Sequence, residues 1–209
     1  HLANITVYQE KVTVFDCIEF SEPFRWIDVI NDLAFLLMDL ESRREFALAS
    51  HTLNAYLEWR GDFDGIELLP LYKAYRAMVR AKIALFTRGN PGLSEAEKEA
   101  LLQKYRDYAN LAEQYTGIPN PYLLATTGLS ASGKSTVSHA LASELGLIRL
   151  RSDVERKRLA GLGPLDSSGS SIGEELYSEE NNRKTYHRLA DLSRQLLQAG
   201  FGVIVDAAC

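Results

Sequence analysis

The chain has 209 residues, 46% hydrophobic and 24% charged, with a formal net charge of −5. That composition suits a globular chain of one or two domains with ample core, and its acidic balance argues against a general nucleic-acid binder, which is usually basic. No apolar run approaches the roughly 20 residues that a bilayer span needs, and Cys17 and Cys209 form neither a metal-ligand nor a disulfide pattern, so a reducing cytoplasm is the expected setting.

The sequence starts at His1 without a Met and ends at Cys209 just after an apolar strand, so it reads as an internal piece of something longer. Two short strands are expected first, Ile5–Tyr8 and Val12–Phe15, joined by a polar turn at Gln9, Glu10 and Lys11. Ile27, Ile30, Leu33, Ala34, Leu37 and Leu40 then recur at three-to-four spacing, the apolar stripe of an amphipathic helix. A second helix is expected over Arg43–Arg60, stopped by Gly61. A third, Leu71–Thr87, would turn Leu71, Tyr75, Met78, Val79 and Phe86 inward. The fourth opens on a capping box, Ser94 with Glu97, and runs to about Tyr115.

Gly117, Pro119 and Pro121 punctuate the next stretch and place a boundary there. This gives a first domain at 1–117, a linker at 118–121 and a second domain at 122–209. The second half alternates strand and helix, the mark of a parallel α/β sheet. An apolar run from Tyr122 to Thr127 reads as a buried strand. A helix from Ser135 to Leu145, a strand from Leu147 to Leu150, a basic helix from Val154 to Leu159, a Gly/Ser/Pro-rich loop from Gly161 to Gly173, a helix from Glu179 to Ala199 capped by Ser178, and a strand from Gly202 to Val205 follow.

Between the first strand and helix of that half stands Gly128-Leu-Ser-Ala-Ser-Gly133-Lys134-Ser135, a complete G-x-x-x-x-G-K-[ST] phosphate loop in the strand–loop–helix context that the motif requires. Glycines let backbone N–H groups converge on phosphate oxygens, and the helix N-terminus adds favourable partial charge. Gly128, Ser130, Ala131, Ser132, Gly133, Lys134, Ser135 and Thr136 are therefore the expected nucleotide-binding residues. Lys134 would neutralise the β- and γ-phosphates, and Ser135 would ligate Mg²⁺ on bound ATP. Asp206 ends an apolar strand, where a carboxylate helps hold Mg²⁺ through water, or simply ends a strand. Asp153 follows the second strand at the carboxyl edge of the sheet. It is placed to accept a hydroxyl proton, to cap the next helix, or both. Arg151 and Arg156, with Arg158, form a cationic cluster that would hold an anionic substrate or serve as a solvated helix face.

This set of residues resembles the P-loop kinases of small molecules and nucleic-acid ends, such as gluconate, shikimate and polynucleotide kinases. The resemblance covers 122–209 and implies transfer of the γ-phosphoryl group of ATP to a hydroxyl. A lid with arginines and adenine-contacting residues would lie beyond Cys209. The stretch from His1 to Asn4, followed by Phe15 and Asp16, resembles the end of the catalytic loop and the metal-binding Asp of aminoglycoside phosphotransferase-like kinases. Their loop reads H-x-D-x-x-x-x-N, then two short strands, then the Asp. Asn4 and Asp16 match the last pieces and would jointly hold Mg²⁺, while the catalytic Asp would lie two residues before His1. The runs Phe15–Ala34, Arg151–Leu159 and Val203–Ala208 resemble bacterial fusions of such a domain to a P-loop, AAA-family ATPase-like kinase domain.

The expected fold class is thus α/β: a mainly helical kinase C-terminal lobe with a short β-hairpin, then an incomplete P-loop parallel sheet. The partner expected is a small-molecule hydroxyl acceptor, with no membrane, and nucleic acid is disfavoured. A nucleic-acid-end kinase, an ATP-dependent sensor module and a degenerate first half acting as a scaffold are the alternatives. Glu19, Asp28 and Asp32 would form an acidic patch or, more plainly, cap helices and face water.

Overall fold

The computed structural model describes residues 1–16, 21–129, 131–164, 166 and 177–207. Cys17, Glu19, Ser130, most of the Gly161–Gly173 loop and Cys209 thus lie partly or wholly outside the described residues. The fold is mixed α/β and mostly helical. Among the described residues no helix is long and apolar enough to cross a membrane. The chain forms two compact units that interleave in sequence, His1–Glu45 with Leu68–Ile118, and Phe46–Glu67 with Pro119–Cys209.

In the first unit, β1 (Ile5–Tyr8) pairs antiparallel with β2 (Lys11–Val14), from Ile5 opposite Val14 to Tyr8 opposite Lys11. Gln9 and Glu10 both take positive φ, 48° and 61°, the geometry that lets a two-residue turn follow the twist of the strands. A short helix, α1 (Glu22–Arg25), was not legible in the sequence. Then comes α2 (Val29–Ser42), capped by Asp28, whose carboxylate accepts the Ile30 N–H at 2.9 Å. Ile30, Ala34, Leu37 and Leu40 are buried, as the stripe predicts, whereas Ile27 precedes the helix. Glu45 N–H returns to Leu40 O at 3.0 Å with Arg44 at φ +65°, closing α2, so the next helix starts at Phe46 instead of Arg43.

Among the described residues this unit also holds α4 (Leu69–Arg88) and α5 (Glu95–Gln114), α3 being the intervening helix Phe46–Arg60. The predicted inward face of α4 is not the buried one. Leu71, Tyr75, Met78 and Phe86 are exposed, and α4 instead buries Ala77 and Ala81 against Met38, Tyr108, Leu111 and Ala112. Small side chains let two helices approach closely, so the contact face is made of alanines. Lys73 bonds Glu41 at 2.7 Å and lies 4.3 Å from the Tyr115 ring centroid, while the Tyr115 hydroxyl donates to the same carboxylate. Burial first, and Glu41 second, push the Tyr115 phenol far above its ordinary value.

The predicted capping box is present. Ser94 Oγ accepts the Glu97 N–H at 3.3 Å, and the Glu97 carboxylate accepts the Ser94 N–H at 2.8 Å. The side-chain bond from Ser94 holds the Glu97 carboxyl below its usual value. A lowered folded-state value means that the contribution is present above the unfolded value and is lost as pH falls through the folded one. Glu97→Gln is therefore expected to melt below wild type at about pH 7, with the gap closing towards about pH 3. Thermal unfolding at the two pH values checks this.

In the second unit, β3 (Leu123–Ala125), β5 (Val203–Asp206) and β4 (Ile148–Arg151) form a parallel three-stranded sheet, with β5 in the middle. Val203, Ile204, Ile148 and Leu150 are buried, and Ala142, Leu147 and Ile204 form a core with Leu124 and Leu141. Helices α6 (Lys134–Leu145), α7 (Ser152–Leu159) and α8 (Glu179–Gln198) join it among the described residues, with Ser178 capping α8 as expected. The sequence reading assigns α3 to the first domain, but it belongs to this compact unit, against α6 and β4. The physical reason is the open edge of β4. Asn54 Nδ2 donates to Leu147 O at 2.9 Å and its Oδ1 accepts the Arg149 N–H at 2.7 Å, so one amide pairs the edge as a strand would. Ser50 Oγ also donates to Ala142 O at 2.8 Å. Arg158 donates to Glu58 O at 2.7 Å, capping the C-terminus of α3, and Gly61, at φ +67°, leaves room for it. A Cβ there would lie 2.5 Å from Arg158 Nε.

Candidate functional site

The phosphate loop begins where β3 ends. Thr126 N–H donates to Val205 O at 3.0 Å, and the chain then turns through Gly128 at φ +137°. A Cβ on Gly128 would meet Ser132 Oγ at 3.2 Å, and Gly133, at φ +88°, is the N-cap of α6. Only glycine adopts such values cheaply, so the two motif glycines are where the backbone demands them. Ala131 also takes a positive φ, 62°, while Ser130 lies outside the described residues. No side chain caps α6, which leaves first-turn N–H groups for an anion, and Thr136 N–H bonds Gly133 O at 3.1 Å. Lys134 folds back across the loop, its ammonium donating to Gly128 O at 2.8 Å and to Leu129 O at 2.6 Å.

Asp206 is buried at the end of β5, in register with Arg151 of β4. Ser138, fully buried one turn after Ser135, has its hydroxyl 2.9 Å from Asp206 Oδ2 and 3.2 Å from Ser135 O. A hydroxyl carries one proton, and the shorter contact to the carboxylate is the one it serves better. Ser138, which the sequence pattern does not single out, thus holds Asp206 against the first turn of α6, the turn that carries Ser135. Hydroxyl and carboxylate oxygens are hard donors of the kind Mg²⁺ takes, so this pair fits the ion.

At the carboxyl end of β4, α7 starts two residues earlier than expected, with Arg151 at the cap position. Asp153 sits inside its first turn and caps nothing. The Asp153 carboxylate, half exposed, instead pairs with Arg151 Nη2 at 2.7 Å. Burial works against the Arg151 charge, but Asp153 and Glu58 more than offset it and hold the guanidinium above its ordinary value. Arg156 bonds Asn182 at 2.9 Å and lies 4.6 Å from the Tyr177 ring centroid, so it is committed to the start of α8. Arg158 pairs with buried Glu155, which Arg188 also approaches at 3.6 Å.

In the first unit, Asn4 Nδ2 lies 3.4 Å from Asp16 Oδ2, and Asp16 is held at φ +60°. Leu2 N–H donates to buried Asp39 at 2.9 Å, fixing the segment that carries Asn4. Asn4 and Asp16 line a cavity of about 640 Å³, with Asp32, Arg25, Arg76 and Phe35 around it. Asp28 is the cap of α2, as the plainer reading holds. Among the described residues no group of three or more His, Cys, Asp or Glu converges on a metal position. Either Mg²⁺ position would thus draw on hydroxyl or amide oxygens, phosphate and water besides its carboxylate.

Residues 123–209 match the family described as an AAA domain. That segment holds the loop, the parallel sheet and α6 to α8, and its architecture is consistent with a P-loop NTPase of the kinase-like kind. Uncharacterized proteins from two strains of Mycobacterium tuberculosis and from Mycobacterium bovis are each 32% identical to the chain over 205 residues. Those alignments take in 97% of this chain and 40% of each relative, so the chain spans less than half the length of the curated relatives it matches. No solved structure matches.

Three residues near the loop were not singled out in the sequence: Ser138, Glu58 and Arg149. Ser138 carries a signal, since three residues past the motif Ser is one turn along the same helix face. Glu58 and Arg149 carry none, because their pairing spans 91 residues.

Proposed function

We propose that the second unit is an ATP-dependent phosphotransferase, which moves the γ-phosphoryl group of ATP to a hydroxyl of a small metabolite. The observation that carries this is the Lys134 ammonium held at the loop by Gly128 and Leu129, ahead of a helix whose first turn has no side-chain cap. A nucleotide phosphate offers that ammonium a stronger, charged acceptor than two carbonyls. Mg²⁺, held by Ser135 and Asp206 with the phosphates, would supply charge neutralisation. Lys134 and the loop amides bind the phosphates, and Asp153 orients the acceptor and takes its proton. The acceptor oxygen bonds to the γ-phosphorus as the bond to the bridging oxygen breaks, and ADP leaves with that electron pair. Arg151 supports Asp153, and Arg156 of α7 is bonded to Asn182 of α8. The net charge of −5 favours a small acceptor over nucleic acid, and we place the protein in the cytoplasm.

For the first unit we propose the aminoglycoside phosphotransferase-like reading, with Asn4 and Asp16 holding Mg²⁺ on a second nucleotide. Their juxtaposition across the hairpin, beside the cavity, supports it.

The test is γ-phosphoryl transfer from labelled ATP into a cytosolic metabolite extract by the full-length protein, with Lys134→Ala beside it. A labelled small molecule that disappears with Lys134→Ala is the expected result. Label that persists there and is lost with Asp16→Asn would move the activity to the first unit. Nucleotide binding with no labelled product from wild type would overturn the phosphotransferase reading.

A further inference from the structure

We propose that Glu58 is a positioning residue of the nucleotide site, one carboxylate that sets the phosphate-loop helix and Asp153 through two different arginines. This rests on the phosphotransferase reading above. Arg149 and Arg151, two apart on β4, project from the same side of the strand, opposite buried Ile148 and Leu150. Glu58, near the end of α3, meets both: Oε1 lies 2.8 Å from Arg149 Nη2, and Oε2 lies 3.3 Å from Arg151 Nη1. Each arginine then uses its other nitrogen on the site. Arg149 Nη1 donates to Ser135 O at 3.2 Å, and Arg151 Nη2 donates to Asp153 Oδ2 at 2.7 Å. The result is an unbroken path, Ser135–Arg149–Glu58–Arg151–Asp153, joining the two sides of the site.

The midpoint of that path is held firmly. The Glu58 carbonyl accepts from Arg158 at 2.7 Å, and Asn54, one turn earlier, is bonded to β4 on both sides. Two cations face two carboxylates, so the set is neutral, and the Arg149 side chain is only 9% exposed. A pair that served packing alone would end at the arginines. Here both guanidiniums continue to a residue with an assigned part in transfer, and that sets the proposal apart from a scaffold ion pair. A neutral residue at 58 would leave Arg149 without its carboxylate and free Arg151 to follow Asp153 wherever it moves, so both sides of the site would lose their common reference.

The experiment uses the full-length protein and two readouts, the affinity for Mg²⁺ with a fluorescent ATP analogue and the rate of label transfer from saturating γ-labelled ATP into a cytosolic metabolite extract. Glu58→Gln is expected to slow transfer by about tenfold or more, with affinity within about threefold of wild type. Combined with Asp153→Asn, it is expected to add little to the loss caused by Asp153→Asn alone, because both act through one pair. Arg151→Gln, which spares the Glu58–Arg149 pair, is expected to show the same lack of additivity, and it decides the matter if Glu58→Gln does not fold. A transfer rate within about twofold of wild type, or losses that multiply in the double variants, would overturn the proposal. A wild type that transfers label and an inactive Lys134→Ala keep the phosphotransferase reading intact in that event. A wild type that transfers nothing removes both.

Discussion

Lys134→Ala is expected to lower γ-phosphoryl transfer by about 100- to 1,000-fold, the cost of removing one preorganised charged donor from the position where transition-state charge develops. The side chain starts from the first residue of α6, and its ammonium already lies at the loop, 2.8 Å from Gly128 O and 2.6 Å from Leu129 O. Two things are lost together. The phosphates lose their cation, and the two carbonyls lose the clamp that keeps the loop drawn in. Affinity for Mg²⁺-ATP should therefore fall as well as the rate. Lys134→Arg should not restore transfer, because a planar guanidinium cannot take the place of a compact ammonium between two carbonyls. Rates and nucleotide affinities measured side by side test this. A loss below about tenfold would show that the loop binds phosphate with its amides alone and would take Lys134 out of the chemistry.

What the sequence made legible was local. The phosphate loop is eight consecutive residues, and its glycines answer backbone demands that no other residue meets at Gly128 and Gly133, so spelling and geometry coincide. Capping by Asp28, Ser94 and Ser178 was legible for the same reason, since each cap and its partner lie within a turn. The α4 face was misread because both of its stripes are apolar. Leu71, Tyr75 and Met78 make the larger signal, yet Ala77 and Ala81 make the contact, and periodicity weights bulk instead of closeness of approach. Asp153 was read as a possible cap because the helix was begun at Val154. The register slips by two residues when Ser152 turns helical. The place of α3 was illegible in principle. Its attachment rests on Ser50, Asn54 and Glu58 bonding residues about 90 positions away. No window of sequence contains both partners of any of those bonds.

The same distinction between local and long-range contacts gives Asp206 its decisive test. Asp206→Asn is nearly isosteric, and the new amide oxygen can still accept from the Ser138 hydroxyl, so the buried contact between β5 and α6 survives. If Asp206 only ends a strand, transfer should hardly change. If it places Mg²⁺ together with Ser135, removing the charge should slow transfer by about 100-fold and raise the Mg²⁺ concentration needed for half-maximal rate. Ser138→Ala does the opposite. It leaves the carboxylate but strips one hydrogen bond from a buried acceptor, which costs about 1–3 kcal/mol of stability. Its thermal midpoint should drop while its Mg²⁺ requirement moves much less. Unchanged rate and Mg²⁺ dependence in Asp206→Asn would reduce Asp206 to a partner of Ser138, and the scaffold would be its whole role.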